Sequence, residues 1–368
     1  MTARPRSTGG RWPSGRYDEQ ARRLVSDFDR AESSVLDVIR LRGYLLEHGV
    51  HVHGELSAEL IAGGRSNLTY RLADANQAWV LRRPPTAGVT PSAHDVGREY
   101  QVTAALQKTS VPVAATVLEC DDRAVIGAPF TIVEFVHGRI FRSEADLALL
   151  SDDEVASLHR ELIRVLAELH AVSYREIGLG DLGRPEGFAA RQVKRWRQQW
   201  DHVATRDAPD VDRLYNVLAT RSWRAAEATI VHGDYRVDNA LIDVQRASHM
   251  LALVDWEMST IGDPLTDVAM MCAYQHRSFD FVVGDRAAST SDRWPGIDMI
   301  ANDYSLASGR DLPGFHQYLA LAYFKLAVIA EGIYSRYLAG AGTGPGFATS
   351  GQAVEGLLTA GVAIIGPP

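Results

Sequence analysis

Two short runs hold the residues best suited to chemistry: Ile230-Val-His-Gly-Asp-Tyr-Arg-Val-Asp-Asn239 and, downstream, Leu251-Ala-Leu-Val-Asp-Trp-Glu257. In the first, an apolar stretch delivers His232-Gly233-Asp234 to a loop, and Asn239 follows five residues after Asp234. In the second, an apolar strand presents Asp255 at its end. A carboxylate, a carboxamide and a second carboxylate are the parts phosphoryl transfer needs. One carboxylate orients the attacking hydroxyl or accepts its proton, while the amide and the other carboxylate hold Mg²⁺ on nucleotide phosphates. Oxygen ligands suit that hard cation. Such catalysis is mainly positioning and charge neutralisation, so a few residues at fixed spacing suffice. Each residue alone would serve equally to build a turn or end a strand. Two motifs in this order, one hairpin apart, argue against that simpler reading.

The elements that must position these residues follow from hydrophobic periodicity. A helix is expected over 33–48, with Leu36, Ile39, Tyr44 and Leu45 at helical spacing. Three strands follow over 54–62, 63–72 and 78–83, the first two joined by a glycine turn and the third stopped by Pro84-Pro85. A helix over 94–108 and strands over 115–120 and 130–135 complete a small α+β unit that ends near Gly138. Beyond it, Ser151-Asp-Asp-Glu154 is a capping box that opens a helix with Val155, Leu158, Leu162, Val165, Leu166 and Leu169 on one stripe. Apart from two short strand-like runs within 229–256, the remainder reads as helical, including 318–338.

Composition narrows the class. At 46% hydrophobic and 23% charged residues the chain of 368 is a globular protein of one large domain or two lobes. A net charge of −8 opposes a nucleic-acid-binding surface over the whole molecule. Cys120 and Cys272 form no CxxC pair, which excludes a zinc ribbon and fits a reducing, cytoplasmic setting. No run of about 18 apolar residues is expected to span a membrane. Only three lysines occur, Lys108, Lys194 and Lys325, and none follows a glycine, so a Walker A loop is excluded. The run Gly178-Leu-Gly-Asp-Leu-Gly183 matches GxGxxG but follows a helical stretch, which argues against a dinucleotide fold.

His232-Gly233-Asp234-x4-Asn239 with Asp255-Trp-Glu257 resembles the catalytic and metal motifs of aminoglycoside phosphotransferases, relatives of protein kinases. The resemblance implies an α+β, two-lobed protein-kinase-like fold, with a small antiparallel-sheet N-lobe over 33–137 and a larger, mostly helical C-lobe over 138–368. A flexible tail over 1–32 would precede them. It implies Asp234 as catalytic base, His232 bracing the loop, Asn239 and Asp255 as Mg²⁺ ligands, and Asp263 and Asp267 orienting the catalytic loop and capping the next helix. ATP is the implied nucleotide, with GTP equally compatible. Backbone amides and a hydroxyl from Gly63, Gly64, Ser66 and Asn67 would cover phosphates, although an ordinary hairpin turn explains them as well. With no lysine before Lys108, Arg82 stands at the position of the kinase lysine and Glu99 is its natural helix partner. A bland surface ion pair is the alternative for these two. Backbone groups near Glu134 and Val136 would bind the adenine edge.

The stretches Gly63-Gly-Arg-Ser-Asn-Leu-Thr-Tyr70, Val80-Leu-Arg-Arg-Pro-Pro85 and Phe324-Lys-Leu-Ala-Val-Ile-Ala-Glu-Gly-Ile-Tyr334 are most similar to kinase-like domains associated with acyl-CoA dehydrogenase family members ten and eleven. That branch implies a small-molecule acceptor of the hydroxyacyl-CoA type, with neither a nucleic acid nor a membrane as partner. Arg191, Lys194, Arg195 and Arg197, interleaved with Trp196 and Trp200, would suit the phosphates and adenine of CoA. A solvated amphipathic helix with two core tryptophans is the plainer reading. The alternatives are an aminoglycoside or other small-molecule acceptor, which the basic stretch disfavours, and a non-catalytic nucleotide- or acyl-CoA-binding module, against which the intact Asp234, Asn239 and Asp255 argue.

Overall fold

In the computed structural model, residues 36–62, 67–84, 96–223 and 227–366 are described. The expected tail over 1–32 and the turn residues Gly63, Gly64 and Ser66 lie outside them. Helix α1 (Val38–Glu47) precedes strands β1 (Ser57–Ala62), β2 (Leu68–Ala73) and β3 (Ala78–Arg83). Side chains along β3 alternate between faces, so Trp79, Leu81 and Arg83 are buried and Arg82 points the other way. Helix α2 (Val96–Leu106) follows, then β4 (Thr116–Cys120), a one-turn helix α3 (Arg123–Ile126) not anticipated from sequence, and β5 (Phe130–Glu134). The five strands form an antiparallel sheet of order β1-β2-β3-β5-β4. One core gathers around it, with Leu41, Leu72, Leu81 and Phe130 at its centre.

The rest is mostly helical: α4 (Glu144–Leu147), α5 (Asp152–Ala171), α6 (Phe188–Val203) and α7 (Pro209–Thr220) come first. The Ser151–Glu154 capping box is formed in both directions. Where two strand-like runs were expected there are four short strands in two antiparallel pairs. Strands β6 (Thr229–Val231), β7 (Ala240–Asp243), β8 (Arg246–Leu253) and β9 (Thr260–Gly262) pair as β6 with β9 and β7 with β8. Three-residue strands carry too little periodicity to be read from sequence. Helices α8 (Leu265–Ala273), α9 (Phe279–Val283), α10 (Ile297–Ser308), α11 (Phe315–Leu338) and α12 (Ala353–Ile365) close the chain. A second, larger core runs from Phe141 to Leu358 and takes in Val102 and Leu106 of α2. The two-lobed α+β arrangement expected from the sequence is therefore present.

Helix α11 is long and apolar enough, by length and composition, to cross a membrane. Its apolar window is 72% buried within the protein, so its hydropathy is that of a core helix. It packs on α8, α6 and α12.

Glu161 of α5 fixes the hairpin that delivers Asp255. Its carboxylate accepts the Met250 amide of β8 at 2.8 Å and two bonds from Arg164 at 2.7 and 2.8 Å. Burial disfavours the charge, but Arg164 and the Met250 amide outweigh it and hold the carboxyl below its usual value. A depressed folded-state value contributes stability above the unfolded pKa and loses it as pH falls. Glu161→Gln is expected to destabilise by about 1–3 kcal/mol at neutral pH. In urea titrations that difference should narrow as pH falls below about 4.

Candidate active site

The catalytic loop is held by its backbone. Asp267, in the first turn of α8, is fully buried; its two oxygens accept the His232 amide at 2.7 Å and the Gly233 amide at 2.8 Å. His170 at the end of α5 reaches the same carboxylate at 3.3 Å and contacts the Tyr304 hydroxyl at 2.7 Å. Burial opposes the Asp267 charge, and His170, His232 and the Gly233 amide together keep its carboxyl below the ordinary range. Gly233 turns at φ +82°, where an added Cβ would lie 2.6 Å from the Met258 carbonyl oxygen, so this position requires glycine. His232 accepts the Asp234 amide at Nδ1 (3.2 Å) and donates from Nε2 to the Val254 carbonyl (3.0 Å). This ring therefore ties the catalytic loop to the strand end that presents Asp255.

Asp234 is surrounded by donors. Tyr274 donates its hydroxyl to Oδ1, while Asn239 Nδ2 and Arg236 Nε approach Oδ2 at 3.1 and 3.3 Å. Burial opposes ionisation, but Arg236, the Tyr274 hydroxyl, Lys325 and His232 outweigh it and bring the carboxyl to about 2. Asp234 is thus an anion at any physiological pH. Burial and the neighbouring Asp234 charge push the Tyr274 phenol well up, so it remains a donor. Asn239 Nδ2 also donates to the Asp234 carbonyl at 2.8 Å, which fixes the carboxamide against the loop. Asp255 sits at φ +69°, the left-handed region, and is the one non-glycine residue there among the described residues.

Arg82, on the face of β3 away from the core, donates to Glu99 of α2 and, at 3.3 Å, to Asp255 Oδ1. Burial works against the Arg82 charge; Glu99, Asp255 and Glu257 restore it. Burial pushes the Glu99 carboxyl up, opposed by Arg82. The sequence-derived residues Arg82, Glu99, Asp255, His232, Asp234 and Asn239 are thereby brought into one linked set. Asn67 opens β2 and is buried, with neither polar atom of its amide bonded to protein. Arg82 Nε is likewise buried without a protein partner. Glu134 ends β5, and the Val136 carbonyl accepts the Gly138 amide at 3.0 Å. Asp263 accepts the Leu265 amide (3.0 Å) and the Tyr318 hydroxyl (2.6 Å) just ahead of α8, whose N-cap position is Pro264.

The donor chemistry fits a nucleotide phosphate with a hard cation. No cluster of three or more His, Cys, Asp or Glu among the described residues could hold a metal alone. Asn239 Oδ1 and an Asp255 carboxylate would therefore need phosphate oxygens to complete a shell. The orphaned amide of Asn67 and Nε of Arg82 are suitable phosphate donors.

Three residues escaped the sequence reading. Arg236 was visible within the motif, two residues after Asp234. Tyr274 lies seven residues beyond Asp267, on the same helical face, but nothing local marks it. Lys325 of α11 donates to the Gly233 carbonyl at 2.6 Å and lines a cleft of about 740 Å³. Met258, Met270, Leu321, Val328 and Ile329 supply apolar lining, and Arg98, Arg195, Lys325, Arg336, Glu257 and Asp267 line it as well. Trp196 and Trp200 of α6 are core residues, as the plainer reading had it, but Trp196 and Arg195 also line this cleft.

Comparison with known proteins gives a consistent picture. A model of the phosphotransferase enzyme family (APH) matches residues 57–300. Acyl-CoA dehydrogenase family member 11 from Gallus gallus is 36% identical over 294 residues, 78% of this chain and 38% of that protein. The Homo sapiens protein of that name is 33% identical over 311 residues, 82% of this chain and 39% of its own. The chain thus spans about two fifths of these relatives' length. A solved structure of a candidate aminoglycoside phosphotransferase from Ralstonia eutropha superimposes with TM-score 0.77 at 32% identity, covering 90% of this chain and 98% of its own. The macrolide 2'-phosphotransferase type I structure gives TM-score 0.57 at 19% identity, covering 94% of this chain and 99% of its own, which bears on the fold alone. A catalytic loop clamped by a buried aspartate, a kinase-like two-lobed fold and a family match over most of the chain lead to one conclusion: the chain belongs to the aminoglycoside phosphotransferase family of phosphotransferase enzymes.

Proposed function

We propose that this phosphotransferase moves the γ-phosphoryl group of ATP to a hydroxyl of a small molecule, and that its acceptor is a hydroxyacyl-CoA-like thioester. The observation carrying the first part is the joining of Asp234, Asn239 and Asp255 through the loop that Asp267 and His232 hold. Asp234 orients the acceptor hydroxyl and takes its proton as the new oxygen–phosphorus bond forms and the bond from the γ-phosphorus to the bridging oxygen breaks. A carboxylate held near 2 is too weak a base to remove that proton early. A late transfer suits the loose transition state of phosphoryl transfer. Asn239 and Asp255 would hold Mg²⁺, which when bound neutralises charge on the phosphates. Arg82, steadied by Glu99, and Asn67 grip phosphate oxygens, and Gly63, Gly64 and Ser66, outside the described residues, would add backbone amides and a hydroxyl. Backbone groups at Glu134 and Val136 meet the adenine.

The acceptor reading rests on the cleft beside Gly233. Arg195, Lys325 and Arg336 line it without a direct ion pair among the described residues, beside the apolar Met258, Met270, Leu321, Val328 and Ile329. An anionic amphiphile such as an acyl-CoA matches that lining, whereas a polycation is repelled by it. Similarity to proteins named for acyl-CoA dehydrogenation supports the same acceptor class. By contrast, APH(4)-Ia, known with ADP and hygromycin B, is only 14% identical. Two free, buried cysteines are in keeping with a cytoplasmic setting.

ADP release with Mg·ATP across hydroxyacyl-CoA thioesters, aminoglycosides and simple sugars tests the proposal, with Asp234→Asn as control. Turnover is expected on a hydroxyacyl thioester and should fall at least about 100-fold in the variant. Turnover confined to aminoglycosides would overturn the acceptor assignment, and absence of nucleotide binding would overturn the kinase reading. Tyr274→Phe removes one hydroxyl donor from the Asp234 carboxylate. It should lower kcat about 10-fold, with the KM for ATP little changed, in steady-state assays on the same acceptor.

A further inference from the structure

We propose that Lys325 recognises the carbonyl oxygen of the acceptor and so selects acyl thioesters over other alcohols; this rests on the acceptor reading above. Helix α11 is otherwise apolar through its middle, and its neighbours Phe324, Leu326, Ala327 and Val328 are all buried. A lysine at this position bears a desolvation cost, and burial pushes its ammonium below the usual value while Asp234 and Asp267 pull the other way. Its Nζ donates to the Gly233 carbonyl at 2.6 Å and lies 5.7 Å from the centre of the Trp196 ring. An ammonium has three donors, and this single hydrogen bond leaves two for the cleft that Lys325 lines.

The placement defines what the acceptor must carry. Gly233 immediately precedes Asp234, so the Lys325 charge stands beside the point where the hydroxyl is held. A carbonyl a few bonds along the same chain can accept from Nζ. Its apolar carbons then lie on Met258, Met270 and Val328, and an anionic tail reaches Arg195 and Arg336. Once the acceptor displaces water, leaving the two spare N–H groups unmet would be costly, and a carbonyl meets that need. Lys325 is a specificity residue in this scheme: it binds substrate but takes no part in bond making.

The test uses matched ligands differing by one oxygen. Hydroxyhexanoyl-CoA, with the hydroxyl at each chain position in turn, and the corresponding hydroxyhexyl-CoA thioethers are titrated calorimetrically into wild type, Lys325→Met and Lys325→Arg. Wild type is expected to bind at least one thioester about 10- to 100-fold more tightly than its thioether. Lys325→Met should reduce that preference to less than about threefold, and Lys325→Arg should keep part of it. The preference is a ratio within one preparation, so partial misfolding of a variant, which appears as lower stoichiometry, leaves it intact. Equal binding of thioester and thioether by wild type, or an unchanged preference in Lys325→Met, would overturn the Lys325 assignment alone. Failure of wild type to bind any of the CoA compounds would remove the acyl-thioester acceptor itself, and this inference with it.

Discussion

A single buried carboxylate, Asp267, holds the catalytic centre together. It accepts two consecutive backbone amides, from His232 and Gly233, and meets His170 from a helix 97 residues earlier. An anion with no solvent access is unfavourable unless its oxygens are well supplied with donors. Here those donors are the loop itself, so the loop conformation and the burial of Asp267 stabilise each other. The constraint extends outward: His170 reaches Tyr304 of α10, and the His170 carbonyl accepts from Arg310 at 3.0 Å. From the loop, His232 carries it to the strand end at Val254 and so to Asp255.

The loop also forms part of the neighbouring cleft. Asp234, Asn239 and Asp255 arise from β6, the β7–β8 hairpin and the turns around them. The cleft beside Gly233 is lined by α6 and α11, which pack on each other, and also by Gly233, Met258, Asp267 and Met270. Lys325 joins α11 to the loop through its hydrogen bond to the Gly233 carbonyl.

Much of the site was legible because its residues lie close in sequence. His232, Asp234 and Asn239 share one loop, and the strand alternation that buries Trp79 and Leu81 dictates that Arg82 faces away from that core. Glu99 could be paired with it because both belong to the compact early part of the chain. Tyr274 and Lys325 were not legible as site residues, since they contact the loop across 40 and 92 residues and carry no local motif. The four short strands between 229 and 262 were only half seen: pairs of three or four residues are defined by their partners and not by periodicity. Helix α11 was legible as a helix, and its apolar composition is that of an element mostly buried in the core.

Asp267→Asn probes that controlling interaction most directly. An amide of the same shape retains one acceptor oxygen but turns an N–H toward a backbone donor, leaving a buried amide without its partner. With the fold verified by circular dichroism, the turnover of the variant is compared with wild type at saturating Mg·ATP and acceptor. The expected result is a fall in kcat of about 10- to 100-fold, from the loss of one charge-assisted hydrogen bond, with Mg·ATP affinity changed far less. Turnover equal to wild type would show that the catalytic loop keeps its working conformation without the Asp267 carboxylate, and would contradict its role as the clamp.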